Sequence, residues 1–110
     1  RRVVDATFQL ATGTFYYQGF HEVAEVVLHV LGFDREREAV TVCERFATFF
    51  FRDATRASMD SVARALRALI PLVSTLDSAV ADKLFAPENV LVAEPIWALS
   101  WIVTWFCHDL

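Results

Sequence analysis

The segment FHEVAEVVLHVL, residues 20–31, is the clearest indicator of the fold class of this chain. At 100° per residue, its valines and leucines fill one broad side of a helix. The polar side chains share the opposite side: His21, Glu22, Glu25 and His29. Gly32 follows directly and is a common helix-ending residue. The segment therefore predicts an amphipathic helix that lies on a core and keeps one face in water.

Helical spacing recurs on both sides of this segment. Only three Gly and three Pro occur, and the period-two alternation typical of strands is almost absent. We therefore expect an all-α fold with a first helix over residues 3–11. Asp34 and Ser58 are expected N-caps of a third and a fourth helix, and Pro71 should kink or break the fourth. Further helices are expected over residues 77–85, ended by residues 86–89, and over residues 95–108.

Three tryptophans recur at every fourth position of the last predicted helix. Trp97, Trp101 and Trp105 would share one face, while isoleucine, leucine, valine and phenylalanine fill the other sides. A helix that is apolar all round is normally buried. We therefore predict that these tryptophans are core residues and not a wall for binding a ligand.

Length, charge and apolar content limit the classes of protein to consider. The 110 residues suggest a single domain without an internal boundary. The net charge of −4 and the dispersed arginines argue against a nucleic-acid binder. An apolar fraction of 55% excludes disorder. It also exceeds the ~45–50% of ordinary soluble domains, which suggests that other segments cover part of this surface.

The apolar stretches are too short for a membrane span. The longest uninterrupted one, residues 96–107, has 12 residues, whereas a bilayer needs about 20. No signal peptide is visible after Arg1 and Arg2. Because the chain lacks a starting Met and stops directly after an apolar segment, we interpret it as a piece of a longer protein.

The histidines of the segment invite a metal interpretation. His21, Glu25 and His29 follow one another at intervals of four residues. However, His21 and His29 would lie about 12 Å apart along a helix, whereas zinc ligands lie ~2 Å from the ion. A solvated polar face is the better interpretation, and we expect no metal.

The cysteines give little indication of chemistry. Cys107 and His108 are adjacent, so on a helix they point about 100° apart and do not face each other. Cys43 falls on the apolar side of its predicted helix. Two cysteines do not make a disulfide scaffold, which suggests buried thiols in a reducing compartment.

The turn before residues 20–31 carries residues suited to phosphate chemistry. Tyr16, Tyr17, Gln18 and Gly19 combine aromatic anchors, an amide and a glycine at a helix start. An amide can accept a hydrogen bond from a water molecule and donate one to a phosphate oxygen. The helix N-terminus favours an anion, and the glycine permits close approach. From the residues alone, an ordinary turn with two aromatic anchors is the favoured interpretation, and a phosphate-facing turn is one of several alternatives.

This turn resembles a known motif. Tyr16, Gln18 and Gly19, followed by the acidic Glu22, are similar to the Tyr-x-Gln-Gly motif of TBC domains, the GTPase-activating proteins of Rab GTPases. The resemblance continues through FRD at residues 51–53, MD at 59–60, LIP at 69–71 and ALSWIVTWF at 98–106. These stretches look like the branch that has a membrane-anchored member acting on early-secretory Rabs. They cover residues 15–110.

The resemblance implies an all-α, multi-helix domain of which residues 1–110 are the central part. TBC domains supply a glutamine and an arginine in trans to the GTPase. Gln18 matches the water-positioning glutamine. The neighbouring residues would support the motif and contact the switch region of the Rab: Tyr16, Tyr17, Gly19 and Glu22. The arginine belongs to an Ile-x-x-Asp-x-x-Arg motif, and Phe8 stands where that Arg would follow Asp5, so the arginine is expected upstream.

The implied function is GTPase activation in vesicle trafficking, without a reaction of the chain's own. GTP and Mg²⁺ would be carried by the Rab, and the chain would need no cofactor. The resemblance implies the cytoplasmic side of endoplasmic reticulum or Golgi membranes, with membrane contact only through segments outside this chain. One alternative is a non-catalytic helical module that binds a small GTPase or a partner helix. A remoter one is a metal-binding helical protein.

Overall fold

A computed structural model describes residues 1–86 and 95–109, and helices dominate both ranges. The α-helices are α1 (Arg2–Leu10), α2 (Phe20–Leu31), α3 (Glu36–Arg45), α4 (Asp60–Leu76), α5 (Ser78–Leu84) and α6 (Leu99–Thr104). Neither described range contains a strand. The predicted all-α class is therefore confirmed. The fifth helix, predicted over residues 77–85, spans Ser78–Leu84, and three of the residues predicted to end it, 87–89, lie outside the described residues.

Among the described helices only α5 is capped by a side chain, whereas the caps expected from the sequence were those of the third and fourth helices. Asp77 accepts a hydrogen bond from the backbone N–H of Val80 at 3.1 Å and caps α5. Ser58 Oγ accepts a hydrogen bond from the N–H of Asp60 at 3.1 Å, but Met59 and not Ser58 occupies the N-cap position of α4, so the expectation for Ser58 misses by one residue. The expectation for Asp34 is wrong. Among the described residues no side chain caps α3, which begins one residue later than that cap would place it.

The end of α3 widens into a π-helical turn over Phe46–Phe50. The N–H of Phe51 donates to the carbonyl of Phe46 at 2.8 Å, which takes one more residue than an α-turn. This extra residue rotates Phe51 into the core, where its side chain is buried, and leaves Phe49 and Phe50 exposed. The turn therefore explains how three consecutive phenylalanines fit a helix that is buried on one side only.

The fourth helix continues across Pro71, so the predicted break is not observed. α4 runs from Asp60 to Leu76 without interruption. Pro71 has no N–H for the helix ladder and normally clashes with the preceding turn. Here Pro71 and Leu72 are exposed, so the proline ring lies on the solvent side of α4 and away from the core. The hydroxyl of Thr75 donates to the Pro71 carbonyl at 2.8 Å.

The core lies between α1, α2 and α3, and α6 closes it from the side of α2 and α4. Phe20 is fully buried at its centre. Its ring makes edge-to-face contacts with Phe8, Tyr17 and Phe51 at centroid distances of 5.0, 5.8 and 6.1 Å. These geometries are the ones aromatic pairs prefer. The start of α2 is thereby anchored to α1 and to the end of the π-turn.

The prediction that the three tryptophans are core residues is wrong. Trp97, Trp101 and Trp105 are 42%, 40% and 50% exposed. The predicted long helix is instead a 3₁₀ turn (Ile96–Ala98), the short α6 and a second 3₁₀ turn (Cys107–Asp109). Small and β-branched residues fill the inward positions: Ala98, Val103 and Thr104. On the outside of this segment Trp101 contacts Trp97 edge to face and stacks on Phe106.

The described helices are shorter than a membrane span, although the composition is rich in apolar residues. The longest of the described helices, α4, has 17 residues, and a bilayer span takes about 20. No helix within residues 1–86 or 95–109 combines the length and the hydropathy that a span requires.

Candidate functional site

Gln18 lies in a turn between an extended stretch and the first residue of α2. Its side chain is exposed, whereas its neighbours Tyr17 and Gly19 are buried. Tyr16, on the other side of Tyr17, is also exposed. The turn is further fixed by the N–H of Phe15, which donates to the carbonyl of Thr55 at 2.7 Å. Burial therefore alternates along the four predicted site residues of this turn: Tyr17 and Gly19 are buried and anchor it, and Tyr16 and Gln18 are exposed.

Tyr17 anchors the turn to α6. Its hydroxyl donates to the carbonyl of Val103 at 2.5 Å, across 86 residues of chain. Burial raises the pKa of the Tyr17 phenol well above its ordinary value near 10. The hydroxyl therefore remains a donor at any physiological pH. With only 8% of the residue exposed, Tyr17 is suited to supporting the motif more than to touching a partner protein.

Gly19 provides the close approach between the turn and α6. Its φ of +116° lies in a region that residues with a side chain rarely adopt. A Cβ at this position would lie 3.1 Å from Cγ2 of Thr104 and 3.9 Å from Cγ2 of Val103. The approaching groups are thus side chains of α6. Within the described residues, no side chain caps the α2 N-terminus that follows.

Two histidines flank the turn. The hydroxyl of Tyr16 and Nδ1 of His21 are hydrogen-bonded at 3.2 Å. Nδ1 of His108 donates to Oε1 of Glu22 at 2.8 Å, again across 86 residues, and Nε2 of His21 lies 3.8 Å from the same oxygen. The side chain of Glu22 is 23% exposed. Its Oε2 is buried and has no hydrogen-bond partner among the described residues.

These side chains border an open groove of about 560 Å³ between the start of α2 and α6. Gln18 lies on its rim, and Met59 and Leu99 provide apolar walls. The polar lining comes from both sides of the groove: Gln18, His21, Glu22, Ser100, Thr104 and His108. A groove with an exposed amide beside a helix N-terminus is suited to a protein partner that presents an oxyanion or a water molecule near Gln18.

The other chemistries considered from the sequence gain no support. Within residues 1–86 and 95–109 no three His, Cys, Asp or Glu side chains come close enough together to hold a metal ion. Burial raises the pKa of the Cys43 thiol to about 11. The pKa of Cys107 is also raised, by burial and by the charge of Glu22. A catalytic thiol needs a lowered pKa, so neither cysteine suits a nucleophile.

The sequence did not single out the partners of the turn on α6 and after it. Val103, Thr104 and His108 belong to a stretch interpreted there as a uniformly buried helix. Nothing in the local pattern indicates that Glu22 and His108 meet, because the contact depends on the turn that follows Thr104. The one available signal was the glycine, which indicated that another part of the chain approaches residue 19 closely.

Comparison with known proteins identifies the family. A family model described as the Rab-GTPase-TBC domain matches residues 1–110. TBC1 domain family member 20 of Bos taurus is 35% identical over 95 residues, which cover 86% of this chain and 22% of that protein. The Homo sapiens protein of that name is 34% identical with the same coverage.

A more distant relative is the GTPase-activating protein gyp10 of Schizosaccharomyces pombe. It is 27% identical over 95 residues, covering 86% of this chain and 24% of that protein. The chain thus spans less than a quarter of the length of these curated relatives. No solved structure gives a significant match. Since the family model covers every residue, the chain belongs to the Rab-GTPase-TBC domain family.

Proposed function

We propose that this chain is the glutamine-bearing part of a GTPase-activating domain for Rab-family GTPases, and that Gln18 acts in trans on the bound GTP. The observation that carries the proposal is the exposed Gln18 held between buried Tyr17 and Gly19. An outward-facing amide on a fixed backbone can enter the active site of another protein without any rearrangement of the turn that carries it. Such preorganisation is what a catalytic group supplied in trans requires.

The chemistry assigned to Gln18 follows from its amide. The side-chain carbonyl accepts a hydrogen bond from the attacking water, and the NH₂ group donates to an oxygen of the transferred phosphoryl group. Water in line with the scissile bond is the arrangement that GTP hydrolysis needs. GTP and Mg²⁺ belong to the Rab, so the chain itself needs no cofactor. Tyr16 and Glu22 border the same turn and are proposed to contact the switch region of the Rab.

The arginine of the pair is proposed to come from a segment upstream of Arg1. At the matching position Phe8 packs edge to face on Phe20 and Tyr16, with centroids 5.0 and 5.8 Å apart. Position 8 therefore contributes to packing under the turn. A neutral amide does not replace the missing charge, because an arginine neutralises charge that develops in the transition state.

The cellular setting is proposed from the relatives. The fission-yeast relative is a GTPase-activating protein, and similarity to it supports an activator over a binding module. Similarity to TBC1 domain family member 20 favours the early-secretory branch. We therefore propose a role in vesicle trafficking on the cytoplasmic side of endoplasmic reticulum or Golgi membranes, with any membrane contact made by segments outside these residues.

The test is single-turnover GTP hydrolysis by a panel of Rabs in the presence of the full-length protein. Gln18→Ala should slow the stimulated rate by on the order of 10²–10³-fold, the scale for losing one transition-state group. Gln9→Ala, which removes another exposed glutamine from α1, is the matched control and should retain the rate. An unchanged rate for Gln18→Ala would remove this residue from the mechanism. Rab binding without any acceleration would favour the non-catalytic module instead.

A further inference from the structure

Three contacts fasten the turn that carries Gln18 to residues 103–108. The hydroxyl of Tyr17 donates to the Val103 carbonyl, Gly19 lies against Thr104, and Glu22 accepts from His108. The first two contacts hold the residues on either side of Gln18. The third holds the first turn of α2, where the N–H of Glu22 also donates to the carbonyl of Gly19 at 3.0 Å. The orientation of Gln18 therefore depends on a remote part of the chain.

An unusual backbone turn brings His108 into this arrangement. Trp105 and Phe106 follow α6 with φ values of +48° and +65°. Residues other than glycine seldom adopt such values, and they persist only where the surroundings hold them. Here the Trp105 ring packs on Phe50 and Phe51 with centroids 5.2 and 5.0 Å apart. The N–H of His108 then donates to Oγ1 of Thr104 at 3.3 Å.

The contact between His108 and Glu22 is one that the carboxylate needs. Most of the Glu22 side chain is enclosed, and its Oε2 has no hydrogen-bond partner among the described residues. The polar contacts that stabilise the Glu22 carboxylate are therefore made by Oε1. This oxygen accepts a hydrogen bond from Nδ1 of His108 at 2.8 Å and lies 3.8 Å from Nε2 of His21. A hydrogen bond to an ionised group in a partly enclosed site is stronger than one between neutral groups. Removing the His108 donor should therefore release the Glu22 side chain and loosen the turn before it.

We propose that His108 is a positioning residue for Gln18, acting through Glu22 and without touching GTP or the attacking water. This inference rests on the proposed function of Gln18. It predicts a loss of hydrolysis rate at saturating protein, with little change in the concentration that gives half-saturation. Misplacement of a reacting group by a fraction of an ångström to 1 Å slows reactions by up to about 10²-fold.

The test measures single-turnover GTP hydrolysis with the full-length protein and one responsive Rab. His108→Ala should lower the saturating rate by about 10–10²-fold. His108→Asn should recover most of it, because its amide N–H lies where Nδ1 lies and can still donate to Glu22. His29→Ala, which alters another exposed histidine on α2, is the matched control and should leave the rate unchanged.

A double-mutant cycle with Gln18→Ala distinguishes positioning from general structural support. If His108 acts through Gln18, adding His108→Ala to Gln18→Ala should cause no further loss of rate. An equal additional loss in that background would assign His108 a structural role and overturn the inference. Where circular dichroism shows that His108→Ala does not fold, His108→Phe, which keeps a ring and removes the donor to Glu22, takes its place in the cycle.

The two proposals fail in different ways. A normal rate for His108→Ala together with a slow Gln18→Ala would overturn the positioning role and leave the proposed function intact. A normal rate for Gln18→Ala itself would overturn both, because His108 would then have no catalytic group to position.

Discussion

Gly19 and Thr104 face each other so closely that a side chain at position 19 would crowd the Thr104 methyl group. A Cβ on Gly19 would lie 3.1 Å from Cγ2 of Thr104, which is tighter than ordinary van der Waals contact. The backbone of Gly19 also has a φ of +116°. The positive φ therefore favours glycine immediately after Gln18, and a side chain there would also push the Thr104 methyl group aside by a few tenths of an ångström. The same contact seats the turn on α6.

Gly19→Ala should lower the free energy of unfolding more than Gly13→Ala. Both glycines have positive φ, but a Cβ on Gly13 would meet nothing within 4 Å. Gly13→Ala thus adds only conformational strain, about 1–2 kcal/mol. Gly19→Ala adds strain of about 1–3 kcal/mol at its rarer φ and the contact with Thr104 as well. Urea unfolding of the two variants gives the comparison, and equal losses would mean that the contact contributes nothing.

Thr104→Ser should restore part of the stability lost in Gly19→Ala. Serine lacks Cγ2 but keeps the hydroxyl, which donates to the Ser100 carbonyl at 2.6 Å and accepts from the N–H of His108. The double variant should therefore be more stable than the sum of the two single changes predicts. Additive losses in urea unfolding would show that the methyl group is not the obstacle. Thr48→Ser, which trims the same methyl from another helix, is the control.

Most of the local structure was predictable from the sequence. The spacing of apolar residues in α2 and the closing Gly32 are local signals, and the structure follows them. These features depend on side chains and backbone groups a few residues apart. Gln18 lies in a turn as predicted, but of the two expected aromatic anchors only Tyr17 is buried, while Tyr16 is exposed.

The last segment was not predictable in the same way. The four-residue spacing of the tryptophans favours one long helix, yet α6 ends at Thr104, and Trp105 and Phe106 follow in a turn with left-handed backbone angles. Packing of Trp105 on the phenylalanines of the π-turn outweighs the local preference there. For the same reason no pattern near His108 indicates that it meets Glu22. Tertiary contacts between distant residues decide both outcomes.

Phe20→Ala should destabilise the protein more than Trp101→Ala, although tryptophan is the larger residue. Phe20 is fully buried and contacts three aromatic rings, so its loss should cost about 3–5 kcal/mol. Trp101 is 40% exposed and should cost about 1–2 kcal/mol. Thermal unfolding of both variants provides the measurement. A larger loss for Trp101→Ala would indicate that other parts of the full-length protein cover the tryptophan.

Cys43 should make the stability of the protein fall between about pH 8.5 and pH 11. An exposed thiol in the unfolded chain has a pKa near 8.5, whereas burial raises the pKa of native Cys43 to about 11. In this window the folded state keeps a proton that the unfolded state has lost, so rising pH favours unfolding. Below this window the contribution is constant. Urea unfolding at several pH values should show a shallower decline for Cys43→Ala.

The same burial predicts the order in which the thiols react. Cys43 is inaccessible, and Cys107 is only partly buried. Iodoacetamide at pH 8 should therefore modify Cys107 first and Cys43 only as the protein unfolds. Mass spectrometry of peptides after timed quenching measures both rates. Rapid modification of Cys43 in folded protein would contradict its burial and, with it, the origin of the raised pKa.

Residues 1–110 expressed alone should not accelerate GTP hydrolysis by any Rab and should tend to aggregate. The arginine of the proposed pair is worth about 10³–10⁵ in rate, and position 8 holds a packed phenylalanine in its place. Exposed aromatic side chains form a continuous apolar surface along the last segment: Trp97, Trp101 and Phe106. Such a surface favours association when nothing covers it.

The full-length protein assayed beside residues 1–110 with the same Rabs is the comparison that decides this prediction. Light scattering reports aggregation, and single-turnover hydrolysis reports activity. A variant of residues 1–110 with Trp97 and Trp101 changed to Gln separates the two effects, because it should be more soluble and still inactive. If the soluble variant matched the rate of the full-length protein, no upstream arginine would be needed, and Gln18 would have to act without a second catalytic group.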